Sequence, residues 1–270
     1  MCHERWSGGA EDARRYATPV ALATEDGREM PGWTFRPFGP PGDGSGGGSG
    51  DGSGAGGRGT CLVVPDIYGP SPFYAELARL LAAEGYTATL VDYFFREGPL
   101  AERTREAAFR RRAGLDERRA LRDLSAAVGR LGAGAPRTAV IGFCLAGQFA
   151  LDLAAMRRDL ATVSFYGFPE GVSGEVAVAA PRPVDLAGEI TGPVLACWGT
   201  RDYIPLPVIQ RFEKAMRDAG TDYTQLLLDG AGHGFLQGLV EEREDSAAAR
   251  RAWLETLDFL AGAGLTGRAS

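Results

Sequence analysis

Six short apolar runs recur along the chain: CLVV at 61–64, TATLV at 87–91, TAVI at 138–141, ATVSF at 161–165, VLACW at 194–198 and TQLLL at 224–228. Runs of this length between turn signals read as strands buried on both faces. Helix-length stretches separate them, over about 72–84, within 100–131, and over about 148–156, 207–219 and 245–260. Strands alternating with helices predict an α/β fold, a mostly parallel sheet with helices on both faces. No internal repeat is visible.

The glycine-rich stretch at 39–59 contains twelve glycines and few side chains that could offset the entropy of ordering. It reads as a flexible insert in a surface loop, because residues 1–38 carry too little apolar material for a core of their own. The expected organisation is an N-terminal leader and edge-strand segment at 1–38, with a strand over 32–38, the insert at 39–59, an α/β core at 60–262 and a tail at 263–270. A chain of 270 residues that is 44% hydrophobic and 24% charged can build one large core of this kind.

Charge narrows the function. With 29 Lys and Arg against 35 Asp and Glu, the net charge of −6 opposes binding to nucleic acid or an anionic membrane. No apolar segment reaches the roughly 18 residues of a membrane span, and residues 1–20 lack a signal-peptide core, so a cytoplasmic protein is expected. Eleven arginines lie between Arg96 and Arg137, but interspersed acids make most of them a solvated, ion-paired helix surface. Cys2, Cys61, Cys144 and Cys197 show no metal-ligand spacing. Of the two histidines, His3 lies in a polar leader, so histidine chemistry must rest on His233.

Gly142-Phe143-Cys144-Leu145-Ala146 follows one apolar run and opens a helix, the context of a nucleophile elbow. A helix starting just after Cys144 aims its amides at the sulfur and favours the thiolate. A buried structural cysteine is the competing reading of this motif alone. Asp202 follows the run at 194–198, and His233 follows the run at 224–228. Ligands of open parallel sheets bind at such strand ends. The order nucleophile, acid, histidine is that of an α/β-hydrolase triad, in which Asp202 would accept from His233 Nδ1 while Nε2 serves the sulfur. The loop Pro65-Asp66-Ile67-Tyr68-Gly69 occupies the place of the second oxyanion donor, making the Ile67 and Leu145 amides the natural pair.

With these motifs the chain resembles the dienelactone hydrolase family over roughly residues 60–260: GFCLAG at 142–147, PDIYG at 65–69, GTRD at 199–202 and GHGF at 232–235. The resemblance implies a Cys144, His233 and Asp202 triad, hydrolysis of esters or lactones through a thioester, and no metal or organic cofactor. It also puts Asp66 where the family has an acid that assists thiolate formation, although many members carry the longer glutamate. Arg96 matches the first of two arginines that hold a substrate carboxylate. Gln237 stands in place of the second, and a neutral amide cannot replace a bidentate charged pair. Ala146 stands where the family usually has glycine. Tyr93 and Phe94, with Phe95, are candidates to line the pocket.

The expected function is therefore hydrolysis of a small ester or lactone. Two alternatives stand beside it: acyl transfer, cyclisation or carbon–carbon bond formation on a specialised metabolite using the same triad, and a non-catalytic ligand-binding protein that retains the fold. The sequence leaves the oligomeric state open.

Overall fold

The computed structural model describes residues 16–37, 58–132 and 138–265. Cys2, His3, Phe38, most of the insert at 39–59, Arg137 and the last five residues lie outside them. Eight strands form one sheet: β1 (Ala17–Ala23), β2 (Glu29–Phe35), β3 (Thr60–Val64), β4 (Thr87–Val91), β5 (Thr138–Phe143), β6 (Leu160–Phe165), β7 (Val194–Gly199) and β8 (Tyr223–Leu228). Their spatial order is β1-β2-β4-β3-β5-β6-β7-β8. From β4 to β8 every pairing is parallel, while β2 runs antiparallel to both β1 and β4.

The helices are α1 (Pro72–Ala83), α2 (Arg105–Ala113), α3 (Glu117–Leu131), α4 (Leu145–Met156), α5 (Leu206–Asp218) and α6 (Ser246–Leu260). Alternate residues of the central strands feed two buried clusters. Val63, Ile141 and Val163 pack with Tyr74 and Leu77 of α1 and Trp253 of α6. Leu62, Val64 and Val140 pack with Leu121 and Leu124 of α3 and Phe149 of α4. Burial on both faces is why these strands are continuous apolar runs.

Four local outcomes differ from the sequence expectation. The strand expected at 32–38 starts and ends three residues earlier, and β1, which includes Pro19, is a second strand in the 1–38 segment. Proline is tolerated there because β1 is an edge strand with one free side. The charged region at 100–131 divides into α2 and α3. Gly114 closes the first, and the Asp116 side chain caps the second by accepting from the Arg119 N–H at 2.9 Å. Near the C-terminus, Leu265 is fully buried with the first cluster.

The topology selects one place for chemistry. Strand order reverses at β3 and β5, which lie side by side with Val64 opposite Gly142. The loops leaving their carboxyl ends therefore emerge together at a switch point.

Candidate active site

Cys144 joins β5 to α4 with φ 57° and ψ −119°, a backbone conformation rare for any residue but glycine. Strain of this kind costs about 1–3 kcal/mol and persists where the surroundings impose it. Here they do. The Cys144 N–H donates to the Phe165 carbonyl at 3.0 Å, and its own carbonyl accepts from the Gly147 N–H at 2.9 Å. A Cβ on Gly142 would lie 2.0 Å from the Ala146 carbonyl oxygen, so the turn can close only over a hydrogen. Ala146 itself fits, fully buried in the second cluster.

Two strands away, Asp202 follows β7. His233 follows β8 in a turn flanked by Gly230 and Gly234, both at positive φ. His233 Nδ1 lies 3.0 Å from each carboxylate oxygen of Asp202. The Ile204 N–H donates to Asp202 Oδ1 at 3.1 Å and fixes the carboxylate in turn. Both side chains are almost wholly removed from solvent. Rings surround the imidazole, with Tyr203 at 4.3 Å, Tyr166 at 4.8 Å and Phe168 at 5.7 Å between centroids.

The loop after β3 completes the arrangement. A cavity of about 250 Å³ is bounded by Cys144, Leu145 and Ile67, with Tyr68, Phe168 and Tyr203 among its walls. Phe168 and Tyr203 thus touch both the cavity and the His233 ring. Asp66, in the same loop, is fully buried, its Oδ1 accepting from the Tyr68 N–H at 2.9 Å. The described thiols Cys61 and Cys197 are pushed well up by burial and stay neutral.

Three expected substrate contacts lie elsewhere. Arg96 does not line the cavity. Its Nε donates to Asp123 Oδ2 at 2.7 Å, and its two terminal nitrogens donate to Asp26 at 2.8 Å. A guanidinium so divided between two carboxylates has little left for a ligand. Tyr93 and Phe94 are buried under the Asp66–Gly69 loop, 4.4 Å apart between centroids, and neither lines the cavity. Gln237 is also buried, its amide oxygen accepting from Arg243.

Sequence reading missed most of the wall. Phe168, Val172, Ser173 and Tyr203 belong to segments after β6 and β7 without a chemical motif, and Arg105 and Phe109 are on α2. Only the position of Tyr203, next to Asp202, could have signalled it. Among the described residues no group of His, Cys, Asp and Glu could hold a metal ion, and no helix is long and apolar enough to cross a membrane.

The doubly covered parallel sheet, with its strained strand-to-helix elbow and its acid and histidine on successive later strand ends, defines an α/β-hydrolase fold. The model of the dienelactone hydrolase family matches residues 57–263, and the chain belongs to that family. It is 38% identical over 201 residues to a carboxymethylenebutenolidase from Rhodococcus opacus, covering 74% of this chain and 79% of that one. It is 36% identical over 195 residues to carboxymethylenebutenolidase 2 from Cupriavidus pinatubonensis, covering 70% and 77%. A Klebsiella pneumoniae structure that carries the dienelactone hydrolase name provisionally has the same fold, with a TM-score of 0.76, 24% identity and coverage of 91% of this chain and 98% of that one.

Proposed function

We propose that the protein hydrolyses a small lactone or ester by acyl transfer through Cys144. The carrying observation is that one cavity is bounded by the Cys144 side of the elbow and by Ile67 and Leu145, whose amides are suited to an oxyanion. The names of the two bacterial relatives support a lactone as the substrate class. His233 Nε2 takes the proton of the Cys144 thiol, the resulting thiolate adds to the carbonyl carbon, and the Ile67 and Leu145 N–H groups receive the oxyanion. As it collapses, the acyl C–O bond breaks and the leaving oxygen takes a proton from His233 Nε2. In a lactone that oxygen stays on the same acyl chain. Water, deprotonated by His233, then adds to the thioester and releases the carboxylic acid, restoring the thiol. Asp202 holds Nδ1 so that Nε2 is the nitrogen left for these transfers. Asp66, on the loop that carries Ile67, assists that first transfer as a transient acceptor of the thiol proton, because its charge alone would oppose a thiolate.

The cavity suits a compact acyl group with an apolar body, given its aromatic walls. With Arg96 occupied by Asp26 and Asp123, Arg105 is the cationic side chain on the cavity wall. The test is release of p-nitrophenol from p-nitrophenyl acetate by wild type and Cys144→Ala, followed by a panel of neutral and carboxylate-bearing lactones. Turnover by wild type and its loss in Cys144→Ala are expected. Equal turnover by the two proteins would contradict the proposal.

A further inference from the structure

We infer that Tyr93 and Arg111 are positioning residues for the oxyanion donor at Ile67, each holding one of the two peptide carbonyls that flank its N–H. This rests on the oxyanion reading above and assigns what sets it. The Ile67 N–H shares a peptide plane with the Asp66 carbonyl. Tyr93 donates its hydroxyl to that carbonyl at 3.2 Å, and the Gly69 N–H donates to it at 2.9 Å. The next carbonyl, of Ile67 itself, accepts from Arg111 Nη2 at 2.9 Å. With the Tyr68 N–H tied to Asp66 Oδ1, the loop is pinned peptide by peptide. Turning the Ile67 N–H away from the cavity would break these bonds together. A donor on the Asp66 carbonyl also polarises the peptide and strengthens the N–H on its other side.

Arg111 is unusual among the arginines of this region. Its guanidinium lies 3.9 Å above the Phe94 ring and is half-buried, with no carboxylate in ion-pair distance among the described residues. Its bonded acceptors are backbone carbonyls, Ile67 at 2.9 Å and Gly98 at 3.5 Å. Burial pulls its pKa below the usual arginine value, the mark of a cation held where solvent does not favour it. Arg112, its neighbour, is instead neutralised by Glu117. A half-buried cation without a paired carboxylate, spending its shortest bond on the loop, is placed to fix that loop.

Both the acylation and the deacylation steps pass through an oxyanion, whereas alkylation of a thiolate by iodoacetamide builds none. The experiment compares p-nitrophenyl acetate kinetics and iodoacetamide alkylation of Cys144 in wild type, Tyr93→Phe, Arg111→Met and Arg111→Lys. Since loss of a whole oxyanion donor costs about 10²–10³ in rate, loss of its alignment is expected to lower kcat about tenfold in Tyr93→Phe and Arg111→Met. KM and the alkylation rate should stay within about twofold, with partial recovery of kcat in Arg111→Lys. Tyr93→Phe removes a single hydroxyl and decides the matter if Arg111→Met does not fold. A kcat within about twofold of wild type in Tyr93→Phe, or alkylation falling in parallel with kcat, would overturn the positioning role. Cys144→Ala, run alongside, separates the failures: activity surviving there overturns the hydrolase reading itself.

Discussion

Asp202 shows what a single side chain contributes here. It presents both oxygens to His233 Nδ1 at 3.0 Å, selecting the tautomer with its proton on that nitrogen. Asn would keep the shape but can direct its amide N–H at Nδ1 and select the opposite tautomer. Asp202→Asn is therefore expected to lower kcat by about 10³–10⁴ with little change in melting temperature, as steady-state rates and thermal melts would show. At this scale the sequence was informative where geometry leaves a local imprint. The sharp turn at Cys144 could be read because Gly142 precedes it at a position that tolerates no Cβ. His233 could be read because it is the only histidine beyond the leader and stands between glycines. Tyr93 and Arg111 could not be assigned. Tyr93 is bonded to a carbonyl 27 residues away and Arg111 to one 44 residues away, and neither separation has a local signal.

Elements explain the fate of Arg96. It leaves β4 in the motif position expected of an anion-binding arginine, yet this chain closes the β1–β2 turn with Asp26 and carries Asp123 on α3. Both acids reach its guanidinium, so the arginine ties a hairpin to a helix. Arg96 holds the Asp26 carboxyl well below the usual carboxylate range. A depressed carboxylate stabilises the fold above its unfolded pKa, about 3.9, and that contribution is lost as pH falls toward the folded value. Arg96→Met is thus expected to lower the melting temperature at neutral pH, with the gap to wild type narrowing in acid. Its ratio of kcat/KM for carboxylate-bearing over neutral lactones should match that of wild type. A selective loss on the carboxylate-bearing lactone would return Arg96 to the substrate. Helix and strand identities were legible because periodicity is local. The division of 100–131 into two helices was not, since it turns on one glycine and one capping aspartate in a stretch dense with charge.

Across the whole molecule, sheet order brings the candidate site residues to one edge of the sheet. The reversal between β3 and β5 sets the Asp66–Gly69 loop beside the elbow, and β7 and β8 deliver Asp202 and His233 from the same sheet edge. The α/β class and the chain order of these residues could be read from alternating runs. The cavity wall could not, because it forms only when the segment after β6 meets Gln148 of α4 and Arg112 of α2 and its Phe168 ring meets Tyr203 after β7. The central claim is that this assembly passes an acyl group through sulfur. The direct measurement is rapid acid quench during turnover of p-nitrophenyl acetate, then mass analysis of the peptide containing Cys144. One acetyl group on Cys144, forming no more slowly than the steady-state rate and absent from Cys144→Ser at that residue as a thioester, is the predicted result. Full turnover with Cys144 never acylated would contradict the account.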